Sequence, residues 1–150
     1  MAGIVFDRAR VLAAVDAIAQ QTMNMDMMWD WPCGVAYYGM CEVSRVTGDD
    51  KYIQMVKARV DEYIELGLPI WTVNTCSMGH CLLSLYEKYG DEKYKEIILS
   101  KLDYLKELKA QGTVRHIGFS SHTPSVANRI LDTGLIDMMM FSINPAYDFE

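Results

Sequence analysis

Apolar positions recur at helical spacing through the first two thirds of the chain. From Asp7 to about Gln21 they fall at Val11, Ala14, Val15 and Ile18, which predicts a helix with Asp7 as its N-cap. A loop rich in methionine and tryptophan, MNMDMMWDWPCG, follows, and Pro32 suits the first turn of a second helix. That helix is expected to run to Val46 and stop at TGDD, where Gly48 provides a left-handed cap. Asp49 and Asp50 then lie at the positive end of a third helix, which runs to Leu66 and stops at Gly67 and Pro69.

A second round repeats the first. TCSMGHCLLSLYEKYG is apolar and helical, and DEKYKEIILSKLDYLKELKAQG is amphipathic. Gly48-Asp49-Asp50-Lys51-Tyr52 answers Gly90-Asp91-Glu92-Lys93-Tyr94, and Tyr52, Val56, Val60 and Tyr63 answer Tyr94, Ile98, Leu102 and Leu105, every pair offset by 42 residues. A period near 40 with two helices per unit is that of a repeated helical hairpin. The more apolar first helix of each unit is expected inside and the striped second helix outside. In the last of these helices, Glu92 with Lys95 and Asp103 with Lys106 form i,i+3 charge pairs of a solvated face, each contributing a few tenths of a kcal/mol.

After Gly112 the period changes. TVRHIGFS reads as a strand. Thr123 and Pro124 are placed to cap and open a short helix, SVANRILDTG, that ends at Gly134. LIDMMMFSIN is a nearly unbroken apolar run, as expected of a strand covered on both faces. Strand, helix and strand with short connections form a right-handed parallel unit.

Bulk properties narrow the classes. With 150 residues the chain is long enough for a real core, and 51% hydrophobic with 23% charged residues is ordinary globular composition. A net charge of −6 disfavours nucleic-acid backbone. No apolar run reaches the ~20 residues that span a bilayer, and MAGIVFDRAR lacks the pattern of a secretion signal, so the expected setting is cytoplasmic with no membrane partner. Cys33, Cys41, Cys76 and Cys81 form no C-x-x-C pair. Cys76, His80 and Cys81 are able to share a helical face, yet a closed zinc site needs about four ligands, so these cysteines are read as packing residues and no metal is expected.

GVAYYGMCEVSRVTGDDKYIQMVKARVDEYIE and SMGHCLLSLYEKYGDEKYKEII together resemble the unsaturated glucuronyl and rhamnogalacturonyl hydrolases of glycoside hydrolase families 88 and 105. The resemblance covers roughly residues 10 to 105. It implies a mainly α chain: a partial (α/α)6 six-hairpin barrel of about two hairpins, here followed by a short βαβ segment. The implied activity is hydration of the double bond of an unsaturated uronic acid at the end of a pectin-derived oligosaccharide, by acidic residues and without a cofactor. One family aspartate precedes the inner-helix glycine in a Leu-Asp-x-Ile-x-x-Gly pattern. Here the stretch is VNTCSMG and the position is Asn74, whose amide cannot exchange a proton as a carboxyl does. The second family aspartate lies in a later hairpin that this sequence does not hold.

The tail, LKELKAQGTVRHIGFSSHTPSVANRILDTGLIDMMMFSINPAYDFE, resembles the middle of an aldo-keto reductase, a TIM-barrel type fold. In that family the Ser-Asn-like pair after the fifth strand bonds the nicotinamide carboxamide of NADP, and Ser120 and Ser121 occupy those places. Met140 stands where a glutamine is common, and the catalytic tetrad has no counterpart. The resulting expectation is two domains, residues 1–102 helical and 103–150 reductase-like, a fusion of two truncated pieces joined within the helix near Ser100 to Leu108.

Candidate site residues follow from these resemblances. Trp29, Asp30 and Trp31 precede an inner helix, where barrel loops build a sugar site, and with Asn74 they are the substrate-binding candidates. Packing of the loop rings onto the hairpin is the competing reading. Met23, Met25, Met27 and Met28 are read as gap-fillers or interface residues, His116 as a strand-face residue and His122 as a loop residue. No catalytic residue is assigned, since neither piece holds a complete set, and the chain alone is expected to be inactive. The alternatives are an NADP-dependent reductase fragment and a non-catalytic assembly fragment that self-associates through exposed apolar helices.

Overall fold

The computed structural model describes residues 7–25, 29–69, 72, 74–121 and 124–141. The expectations for Met27, Met28, His122 and Thr123, and for the end of the second strand, fall outside the described residues. Two compact units are present, Met1–Ile98 and Leu99–Glu150.

The first unit is helical. α1 (Arg8–Asn24) is capped by Asp7, whose carboxylate accepts from the Ala9 amide at 2.9 Å and the Arg10 amide at 3.4 Å. α2 (Trp31–Thr47) ends on Gly48 and α4 (Gly79–Tyr89) on Gly90, with φ of 75° and 67°. Each glycine donates its amide back to the preceding helix, to the Ser44 and Tyr86 carbonyls at 2.9 and 2.8 Å. This left-handed cap is open to glycine at little strain. α3 (Lys51–Leu66) lies between them, and α5 (Glu92–Ala110) follows α4 as one continuous helix.

A 3-10 helix (Asn74–Met78) leads into α4, where the sequence pattern predicts a single helix. Its cause is local: Thr75 Oγ1 donates to the Thr72 carbonyl at 2.8 Å and accepts the Thr72 amide at 2.9 Å. That side-chain turn competes with the α-helical ladder.

The inner and outer roles fall as the apolar stripes predict. α2 buries Cys33, Tyr37, Met40, Cys41 and Ser44, and α4 buries Cys81, Leu82 and Leu85. α3 buries Tyr52, Ile53, Val56 and Val60 along one stripe. Ala19, Trp29, Met78 and Tyr94 join this core, and each large apolar side chain there contributes roughly 1.5–3 kcal/mol of burial. Two alternating inner and outer helices per repeat are what the opening of an (α/α)6 barrel requires.

In the second unit, β1 (Gly118–Ser121), α6 (Pro124–Leu131) and β2 (Met138–Phe141) form the expected parallel unit, with Gly118 opposite Met138 and Ser121 opposite Phe141. Both strands are shorter than their apolar runs. Thr113 and Val114 instead close the end of α5, their amides donating to the Leu108 carbonyl at 2.9 and 3.3 Å around Gly112. His116 is exposed ahead of β1 rather than on a strand face. The expectation that the second strand is covered on both faces is corrected as well. Met138 and Met140 stand 58% and 69% exposed, because a two-stranded sheet beside one short helix has a single covered face. Asp137 ties the unit together: it accepts the Ile117 amide at 2.8 Å and pairs with Lys109. No helix among the described residues is long and apolar enough to cross a membrane.

Candidate functional site

The two inner helices α2 and α4 run the same way through the repeat, so the segments ahead of them gather at one end of the first unit. Asp30 caps α2: its backbone is extended, its carboxylate accepts the Trp31 amide at 2.7 Å, and its carbonyl accepts the Gly34 amide at 3.1 Å. The flanking rings part ways. Trp31 is 55% exposed, whereas Trp29 is 3% exposed and meets Tyr63 edge-on with ring centres 5.7 Å apart. Trp29 therefore follows the packing reading and offers little surface to a ligand.

Asn74 opens the 3-10 helix and is exposed, with its carbonyl accepting from Ser77 Oγ at 2.8 Å. The 3-10 helix leans on α2 at Gly34. A Cβ added there would lie 2.3 Å from Ser77 Oγ and 2.6 Å from the Ser77 carbonyl carbon. Only a residue without a side chain lets the segment bearing Asn74 approach the helix bearing Asp30 and Trp31 this closely. Sequence reasoning missed this contact. Its signal was the glycine one turn inside an otherwise apolar helix.

Three of the four thiols serve packing. Cys33, Cys41 and Cys81 are buried and Cys76 is exposed. Burial pushes the Cys41 thiol up to about 12 and raises those of Cys33 and Cys81, which keeps them protonated and unreactive. His80 packs its ring on Tyr38 with centres 5.2 Å apart. Cys76, His80 and Cys81 thus do not converge, and among the described residues no three His, Cys, Asp or Glu side chains are grouped to hold a metal ion.

At the other end of the unit, a cavity of about 410 Å³ lies between the C-terminal halves of α2 and α4 and the start of α3. Four of its five charged side chains are paired with each other, and Glu87 is the fifth. Glu42 takes Arg45 in a forked pair at 2.6 to 3.1 Å, and Asp50 takes Lys88 at 2.7 Å. Matched, exposed pairs of this kind add little stability.

In the second unit, Ser120 is exposed and Ser121 half-buried at the C-terminal end of β1, opposite Met140 and Phe141 of β2. The C-terminal ends of parallel strands are the usual ligand edge of such sheets.

Comparison with known proteins bears on both units. The family model described as Glycosyl Hydrolase Family 88 matches residues 8–133, passing through the expected joint near residue 102 and on through β1 and α6. The unsaturated rhamnogalacturonyl hydrolase YesR of Bacillus subtilis (strain 168) is 41% identical over 105 residues, which are 70% of this chain and 30% of that protein. The chain therefore spans about 30% of the length of this relative. No solved structure matches. With helical hairpins of the expected kind and a family match over most of its length, the chain belongs to glycosyl hydrolase family 88.

Proposed function

We propose that the helical unit is part of a glycosidase acting on the unsaturated uronyl end of pectin-derived oligosaccharides. The observation that carries this reading is the family match over residues 8–133, supported by a relative named for an unsaturated rhamnogalacturonyl substrate. The sugar lies at the end of the unit where α2 and the 3-10 helix begin. Trp31 offers an exposed ring to the apolar face of a pyranose. Asp30 and Asn74 supply oxygens and an amide to its hydroxyls, and Trp29 supports their loop from beneath. No metal or cofactor takes part.

Hydration of a double bond needs a group that gives and takes a proton. Asn74 lacks that capacity, so residues 1–150 by themselves bind the sugar without turning it over, and a carboxyl group from outside these residues completes the reaction. Titration calorimetry with an unsaturated rhamnogalacturonyl disaccharide tests the binding. Saturable heat that weakens about tenfold, or about 1.4 kcal/mol, in Trp31→Ala is expected, and the absence of heat from the unaltered chain overturns the reading. Loss of the double bond's ultraviolet absorbance with this chain alone overturns the assignment of Asn74.

A second reading concerns residues 103–150 as a separate reductase-like segment. The parallel pairing of β1 and β2 favours it, with Ser120 and Ser121 at the ligand edge, and on this reading the pair binds the carboxamide of NADP. Saturable quenching of tryptophan fluorescence by NADPH, lost in Ser120→Ala/Ser121→Ala, is the expected result. The groove between α1 and α2, lined by Val15, Ile18, Val35 and Val43, supports self-association, which sedimentation at increasing concentration measures.

A further inference from the structure

The two repeats share more than a helical pattern. At the start of α3, Tyr52 donates its hydroxyl to Asp16 Oδ1 of α1 at 2.6 Å, and Lys51 Nζ meets the same carboxylate at 2.7 Å. At the start of α5, Tyr94 donates to Asp61 Oδ1 of α3 at 2.7 Å, and Lys93 Nζ meets it at 2.9 Å. The correspondence continues outward. Lys51 also pairs with Asp49 at 3.4 Å and Lys93 with Asp91 at 3.2 Å. The Asp49 and Asp91 carboxylates accept the Lys51 and Lys93 amides at 3.0 and 3.1 Å. Each lysine lies over the ring of the tyrosine beside it, at 4.8 and 4.9 Å. Both tyrosine rings are buried, so their hydroxyls are the one polar end of an apolar anchor.

We propose that this Lys-Tyr corner is a repeated latch that fixes α3 to α1 and α5 to α3 and lets go in acid. Apolar stripes bring the helices together without setting their relative height, since hydrophobic contact has no direction. A buried ring whose hydroxyl must reach one carboxylate does set it, because a charge-assisted bond is short and directional. The left-handed glycine ahead of each corner delivers the Lys-Tyr pair to the same place in both repeats.

Among the described residues, the charged groups paired with the two carboxylates belong to this set. Asp16 faces Lys51 and Tyr52 of α3, with Asp49 behind Lys51. Asp61 faces Lys57 of its own helix, then Lys93 and Tyr94 of α5, with Asp91 behind Lys93. The Lys51 and Tyr52 bonds hold the Asp16 carboxyl below its ordinary value of 3.8. At Asp61 partial burial pulls upward, but the bonds from Lys57, Tyr94 and Lys93 together outweigh it and leave the carboxyl low. A lowered folded-state value means the latch is fully formed above the ordinary carboxylate range and is lost as pH falls through and below about 4.

The test is a double-mutant cycle on the full chain. Tyr94→Phe and Asp61→Asn each remove one half of the second latch with little change of shape. Each is expected to lower the folding equilibrium constant roughly tenfold, and the double variant by no more than the larger single effect. Single effects that simply multiply overturn the proposal. The first latch is tested in the same way with Tyr52→Phe and Asp16→Asn. The unaltered chain supplies a readout that needs no variant. Its urea midpoint is expected to fall between pH 6 and pH 3, and the chain lacking both tyrosine hydroxyls to fall less. Parallel pH profiles overturn the acid release.

Discussion

Replacing Gly34 by alanine sets two physical effects against each other in one helix. Alanine is better than glycine inside a helix by up to about 1 kcal/mol, so an unobstructed site would gain stability. At Gly34 the new carbon would sit 2.3 Å from Ser77 Oγ, 2.7 Å from its Cβ and 2.6 Å from its carbonyl carbon. Carbon contacts are comfortable near 3.5–4.0 Å, so the 3-10 helix must retreat by about 1 Å. Two of the three neighbours are Cβ and backbone, so the obstruction cannot swing aside, and forced packing of this kind costs roughly 1–3 kcal/mol. The clash wins, and a net loss of about 1–2 kcal/mol is expected.

Gly39 lies in the same helix with nothing within 4 Å of an added Cβ, so Gly39→Ala is expected to gain about 0.5–1 kcal/mol. Urea unfolding followed by far-ultraviolet circular dichroism measures both. For a unit of this size each kcal/mol is worth roughly 4–8 °C in melting temperature. Adding Ser77→Ala leaves the Cβ and backbone obstruction in place and restores little. A Gly34→Ala chain as stable as the unaltered one, or more so, refutes the claim that α2 and the Asn74 segment are in backbone contact.

Other measurements reach other parts of the molecule. Leu82→Ala empties a fully buried position and is expected to lose about 2–5 kcal/mol in the same urea assay. A thiol reagent at pH 8 should modify Cys76 quickly and the buried Cys33, Cys41 and Cys81 only at the rate of opening, with peptide mapping to assign each label. The Lys109 pair and the Ile117 amide bond hold the Asp137 carboxyl below its ordinary 3.8. Its stabilising effect is therefore present above that range and lost as pH falls through it. Amide exchange at Ile117 should rise from pH 6 to pH 3 relative to the intrinsic rate, and Asp137→Asn should remove most of that rise.

The hairpin repeat was legible because its signal is local and periodic. Gly48 is legible as a cap from its position after an apolar helix, Gly90 answers it in the repeat, and both take the left-handed conformation. The partners of Tyr52 and Tyr94 were not legible. Asp16 and Asp61 lie 36 and 33 residues upstream and carry no mark in the sequence that separates them from other surface acids. Strand existence and parallel order followed from the change of period, but strand length did not. Thr113 and Val114 have β-forming side chains, yet their amides go to the nearest open acceptor, the end of α5. Trp29 and Trp31 show the same limit at the site. Two identical rings flank one aspartate, and only the packed fold decides which is buried.

Among the described residues, both strands of the small sheet are edges. β1 and β2 pair along one side of each, and a strand left open on its other side can accept a strand from a neighbouring molecule. β2 brings to that side the segment MMMF, four residues without charge or proline, the composition that favours cross-chain stacking. On heating, aggregates of this protein should therefore begin at the sheet, and a charge introduced at Met140 should delay them without weakening the helical hairpins.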